Sequence, residues 1–166
     1  VVDNPNQYQN NTTYSVNDLY IKTKYLLAFN KLKLVGNLSI HQLFNRLQTN
    51  QIDDTQNPLF VNPSFGINWE INSKNKLTTS YAINRTNAGI LDVYPNFVLT
   101  GFRSFSKGTG TFNQLDASRL TVNYQLGNWS DRFFANTFFM YSKNHDFFST
   151  NSIIRQNFTQ TEKILI

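Results

Sequence analysis

The chain has 166 residues and a mass of 19.3 kDa, with 40% hydrophobic, 15% aromatic and 15% charged residues. Its longest unbroken apolar run, residues 25–29, is far short of the ~20 residues a membrane helix needs, and fifteen Phe and eight Tyr are too many for intrinsic disorder. No Cys is present, so disulfide frameworks and thiolate chemistry are out, and a net charge of +5 scattered over the chain without a basic stripe argues against a nucleic-acid partner.

The dominant pattern has a period of two. Leu19, Ile21, Thr23, Tyr25, Leu27 and Phe29 fall on one face, with Tyr20, Lys22, Lys24 and Asn30 mostly on the other. After Asn30-Lys31 the alternation resumes, with Leu32, Leu34, Gly36, Leu38 and Ile40 against Lys33, Asn37, Ser39 and His41. A third run sets Phe65, Ile67, Trp69 and Ile71 against Ser64, Gly66, Asn68, Glu70 and Asn72. The fourth places Leu77, Thr79, Tyr81 and Ile83 opposite Thr78, Ser80 and Asn84. The fifth places Leu120, Val122, Tyr124 and Leu126 opposite Arg119, Thr121, Asn123 and Gln125. A sixth run spans residues 132–142 and a seventh starts near Ser152. Successive strand residues point to opposite sides, so each run carries one apolar and one polar surface. No helical period is found, and the chain reads as all-β.

The connections alternate in length. Asn30-Lys31, residues 73–76 and residues 127–131 are short; residues 45–63, 85–118 and 143–151 are long and polar. In an up-and-down sheet, alternate connections share an end, so one rim carries short turns and the other long loops. Outer-membrane barrels have this asymmetry. Strands of roughly 9–12 residues match the ~9–11 needed to cross a bilayer at a tilt, and spanning strands require a closed barrel. Tyr25, Trp69, Tyr81, Tyr124, Trp129 and Tyr141, at or near strand ends, are the candidate membrane-interface aromatics. The expected fold is an antiparallel up-and-down transmembrane β-barrel segment of about seven or eight strands, with residues 1–166 as one unit. Outer-membrane lipid is the expected surrounding.

Several segments resemble a known family: Pro63 to Trp69 (PSFGINW), Leu77 to Ala82 (LTTSYA), Asp92-Val93-Tyr94-Pro95, Phe102 to Gly108 (FRSFSKG), Leu120 to Tyr124 and Phe138 to Lys143. Together they are similar to the barrel portion of TonB-dependent outer-membrane receptors of the Bacteroidetes type, over most of residues 60–160. The resemblance implies uptake of a large nutrient, bound jointly by external loops, lumen wall and a plug domain. It also implies an energy-coupling partner of the TonB type. That family's barrel has about 22 strands. The seven runs found here, with no plug domain and no TonB-box region among them, lead to the expectation of an internal segment of a larger barrel.

No catalytic constellation is legible in the sequence, and no enzyme is expected. His41 and His145 lie far apart without companions at ligand spacing, and are expected on the lumen side of a strand and in a loop. Asp53-Asp54-Thr55-Gln56-Asn57 lacks the Gly and distal Glu of a calcium loop and is expected to be a solvated turn. Asp92 and Asp116 share a long connection, but their separation is not set by sequence. No Gly-x-Ser-x-Gly elbow appears, and Gly108-Thr109-Gly110-Thr111 lacks the continuation of a phosphate-binding loop. No cofactor or metal is expected. The functional surface is instead the long-loop rim, where Tyr94, Phe97, Phe102, Arg103, Phe105 and Lys107 form the candidate ligand-binding set. The opposing expectation is that this loop packs on itself or into the lumen. Two other functions stand beside the receptor: a small closed or porin-like outer-membrane barrel without energy coupling, and a soluble β-sandwich or adhesin module binding carbohydrate or protein.

Overall fold

The computed structural model describes residues 11–50, 52–128 and 130–166. Among them are β1 (Thr12–Phe29), β2 (Leu32–Thr49), β3 (Asp53–Gln56), β4 (Leu59–Glu70), β5 (Asn75–Asn87), one helical turn α1 (Ile90–Val93), β6 (Val98–Gly101), β7 (Ser104–Lys107), β8 (Gln114–Leu126), β9 (Ala135–Asn144), β10 (Phe148–Ile154) and β11 (Thr159–Leu165). The chain is all-β, as expected. Six of the seven alternating runs are the long strands β1, β2, β4, β5, β8 and β9, which neighbour one another in that order, each pair antiparallel.

The register explains why one face is apolar throughout. Tyr25 lies opposite Gly36, Gly36 opposite Phe65, Phe65 opposite Tyr81, Tyr81 opposite Leu120, and Leu120 opposite Tyr141. With a side-chain period of two, this one row fixes all others, and the apolar sets of all six strands share a face. The first turn helps set the register. Asn30 adopts φ 45°, a left-handed conformation that Asn tolerates and that a primed two-residue hairpin turn requires at its first position. At the same rim the Gly127 N–H donates to the Lys74 carbonyl at 2.7 Å, joining two short turns.

Among the described residues the large sheet is open, with β1 and β9 as its edges, so the alternative of a small closed barrel is not met. Three expectations need correction. The seventh run does not extend the meander. β10 and β11 instead join β6 and β7 in a second, four-stranded sheet, ordered β10-β11-β7-β6. That sheet is not wholly antiparallel, because β11 runs parallel to β7. Residues 45–63 are mostly strand: β2 continues to Thr49, and β3 pairs with it in the register that β4 carries on, the break falling at Asn57-Pro58, where Pro58 has no N–H to give. The alternation was hidden there because the inward set Leu43, Asn45, Leu47 contains a buried Asn.

Burial is concentrated at the long-loop end. The buried hydrophobic residues are Leu43, Leu47 and Phe60 from the polar face of the large sheet, and Ala88, Val93, Tyr94, Phe97 and Phe112 from the 88–113 excursion lying over it. Among the described residues none on the apolar face is buried: Leu19 is 69% exposed and Ile21 66%. Around Gln42 the polarity of β2 inverts. Below it the outward face is apolar; above it Leu43 and Leu47 turn inward to the core, while Arg46 and Gln48 face out.

Candidate functional site

The polar face of the large sheet carries two adjoining depressions of about 410 and 440 Å3 that share Lys22, Ser39, Asn62 and Asn84. Their origin is a splay between β4 and β5. The β4–β5 ladder ends at Ser64–Ala82, although β4 begins at Leu59 and β5 runs to Asn87. Pro63, without an N–H, sits where the ladder stops. Beyond it the Asn62 carboxamide replaces the backbone: Nδ2 donates to the Arg85 carbonyl at 3.1 Å and Oδ1 accepts the Arg85 N–H at 2.7 Å.

Along this groove β1 supplies Lys22 and Lys24, and β2 supplies Asn37, Ser39 and His41. His41 Nδ1 lies 2.8 Å from Asp18 Oδ2, and Tyr20 stacks on the imidazole at 5.4 Å between centroids. Lys22 Nζ sits 4.7 Å from the Tyr20 ring centroid. Asn37 Nδ2 donates to Ser64 Oγ at 3.0 Å. Ammonium, carboxamide and hydroxyl groups thus line an open groove that offers hydrogen-bond donors and acceptors to a polar solute. His41 stands on the polar face of a strand and His145 in a bend, as expected. Among the described residues no group of three or more His, Asp or Glu is placed to hold a metal ion.

The excursion splits the expected ligand-binding set. Tyr94 and Phe97 are buried, so they belong to the core, because the loop folds back on the polar face at the hairpin arm. There Thr12 Oγ1 donates to Tyr94 Oη at 3.3 Å, Tyr14 meets the Phe112 ring at 5.9 Å, and the Phe112 N–H donates to Asp54 Oδ2 at 3.3 Å. Gly108 is required at this crossing: a Cβ there would fall 2.3 Å from the Asp92 carbonyl oxygen. Burial pushes the Tyr14 phenol up, and the nearby Asp92 carboxylate adds to the shift. Phe105 packs edge-on against Phe158 at 6.4 Å, and Lys107 Nζ reaches Glu162 at 3.6 Å. Only Phe102 and Arg103, at the β6–β7 tip, are presented to solvent, Phe102 at 88% exposure.

The two carboxylates noted in the long connection are held apart in role. Asp92 of α1 pairs with Lys163 of β11, whereas Asp116 lies in β8 and pairs with Arg85 at 3.1 Å. Asp53 and Asp54 lie in β3 rather than in a turn, and Asp53 meets Arg46 at 3.4 Å.

Tyr25, Trp69, Tyr81, Tyr124 and Tyr141 all lie on the apolar face and are exposed. Trp69 and Tyr124 stand near strand ends, Tyr81 in the middle of β5; Trp129 lies outside the described residues. The polar groove was not foreseen, because it is assembled by register across four strands. The Asn30-Lys31 turn was the available signal, since it fixes Lys22 opposite Ser39 and Tyr20 opposite His41. Compared with protein-family models, with curated proteins and with solved structures, the chain finds no match.

Proposed function

We propose that the chain is a segment of a Gram-negative outer-membrane transport barrel of the TonB-dependent receptor type. Its apolar face meets lipid, its polar face lines the lumen, and its capped rim takes part in recognising a large nutrient. Further strands pairing with the β1 and β9 edges complete the cylinder, and a plug domain and a TonB-type coupling protein follow from the resemblance alone. The role is non-enzymatic.

The observation that carries this reading is the uncovered apolar face. It is continuous over six strands, and no described residue on it is buried. A soluble sandwich would bury that face against its second sheet, whereas here the buried side chains belong to the opposite face and the cap. The height also fits. Apolar positions run from Leu19 to Phe29 on β1 and from Leu59 to Trp69 on β4. Ten steps of ~3.3 Å, tilted by ~40°, give a band of about 25 Å, the height of the lipid-facing belt of known barrels.

The test is lipid dependence of folding. The full chain, diluted from denaturant, should gain stable β-structure and float with phosphatidylcholine vesicles, and should precipitate without lipid or detergent. A soluble monomer that unfolds cooperatively in buffer would contradict the reading.

A further inference from the structure

We infer that the paired hairpin tips of the small sheet form a clamp for a phosphate or sulfate ester group, built on Arg103 and Arg155. This deepens the recognition role proposed for the long-loop rim, and rests on that reading only for the side of the membrane it faces. β7 and β11 run parallel from adjacent starts, with Thr159 opposite Ser104 and the Thr159 N–H donating to the Arg103 carbonyl at 2.8 Å. The β6–β7 turn and the β10–β11 turn therefore emerge side by side, about one strand spacing (~4.8 Å) apart.

Each tip carries the same unit. The Arg103 guanidinium lies 4.9 Å from the Phe102 ring centroid, and that of Arg155 lies 5.9 Å from Phe158. Phe158 in turn packs on Phe105 of β7, joining the two hairpins. A guanidinium resting on a ring face keeps its N–H edge available for two-point binding of an oxyanion.

Charge balance sets this end apart. At the other end of β7 and β11 the cations are matched, Lys107 by Glu162 and Lys163 by Asp92. Arg103 and Arg155 are exposed and have no acidic partner among the described residues. Two neighbouring cations are left uncompensated. Arg103 also adopts φ 57°, in the left-handed region usually given to Gly or Asn at such a turn. A long, charged residue is uncommon in that conformation and fits a position kept for its side chain.

The test is calorimetric titration of the full chain in detergent with methyl phosphate. Vesicles of phosphatidylcholine with and without phosphatidic acid are titrated in parallel, to separate a soluble ester from a lipid headgroup. Binding in either arm should weaken roughly tenfold or more for each of Arg103→Gln and Arg155→Gln, and be unchanged by Lys31→Gln at the opposite rim. Phenylglyoxal modification of the wild-type chain, read by mass spectrometry, supplies a check that needs no variant: methyl phosphate or the phosphatidic acid vesicles should protect Arg103 and Arg155 but not Arg119. Absence of binding in both arms, binding indifferent to the double variant, or protection that spares neither tip arginine would overturn the inference. Loss of vesicle flotation with methyl phosphate binding retained would count against the barrel alone.

Discussion

The six-stranded meander and the cap above it use opposite solutions to the same problem. The meander is regular and extended, and leaves its apolar side chains uncovered. The cap is irregular, built from a helical turn and four-residue strands; it packs Ala88, Val93 and Phe112 with Leu47 and buries Tyr94 and Phe97 as well. The polarity inversion near Gln42 marks the boundary between them. Above it the strands behave as water-exposed strands do, with apolar side chains inward; below it the apolar side chains face out. A single strand that changes its apolar side along its length is what the proposed barrel requires, with one part facing lipid and the other water.

The largest expected effect separates the two regions by stability. Phe112→Ala empties a core position in the cap and should cost about 3–5 kcal/mol locally. Amide exchange should quicken in β6 and β7 while the β4–β5 ladder stays protected. Exchange that quickens equally everywhere would mean the regions form one cooperative unit.

Next comes a test of the meander itself. Val122 and Asn123 are neighbours on opposite faces of β8. Val122→Arg should destabilise the vesicle-bound chain by ~2–4 kcal/mol in denaturant titrations, and Asn123→Arg should be nearly neutral, as for lipid-facing and lumen-facing positions. Equal costs would remove the distinction between faces.

How far the sequence could be read follows the same division. The alternation from Leu19 to Phe29 and from Leu77 to Ile83 shows directly, because each strand pairs with its chain neighbour and one face is uniformly apolar. The cap resists such reading. β6 and β7 are too short to display a period, and the parallel β7–β11 pairing joins residues more than fifty positions apart. Tyr94 and Phe97 were expected as ligand contacts because aromatics in a loop look alike whether they face a ligand or a core. Phe102 and Arg103, two turns of chain further on, are the pair that stays exposed.

Smaller effects sharpen the cap. Lys163→Ala removes the partner of Asp92, and since both side chains are a quarter exposed the cost should be about 1 kcal/mol or less. It should appear as faster exchange in β11, and an unchanged rate would make the pair incidental. Alkaline pH acts through Tyr14. Its phenol is held neutral by burial and by Asp92, so its folded pKa lies above 10.0. The stability this packing gives is present below pH 10 and declines as the pH rises through the folded value. Tyr14→Phe should abolish that alkaline loosening of the cap, measured by near-ultraviolet circular dichroism; a variant that loosens at the same pH would place the titration elsewhere.

If the apolar face meets lipid, exposure to lipid must alternate along β4. Because the chain has no Cys, single cysteines can be placed and spin-labelled at successive positions 64–69 of β4 in vesicle-bound protein. Oxygen accessibility should peak at 65, 67 and 69, with a water-soluble nickel reagent favouring 64, 66 and 68. Uniform access of the nickel reagent to all six positions would contradict it.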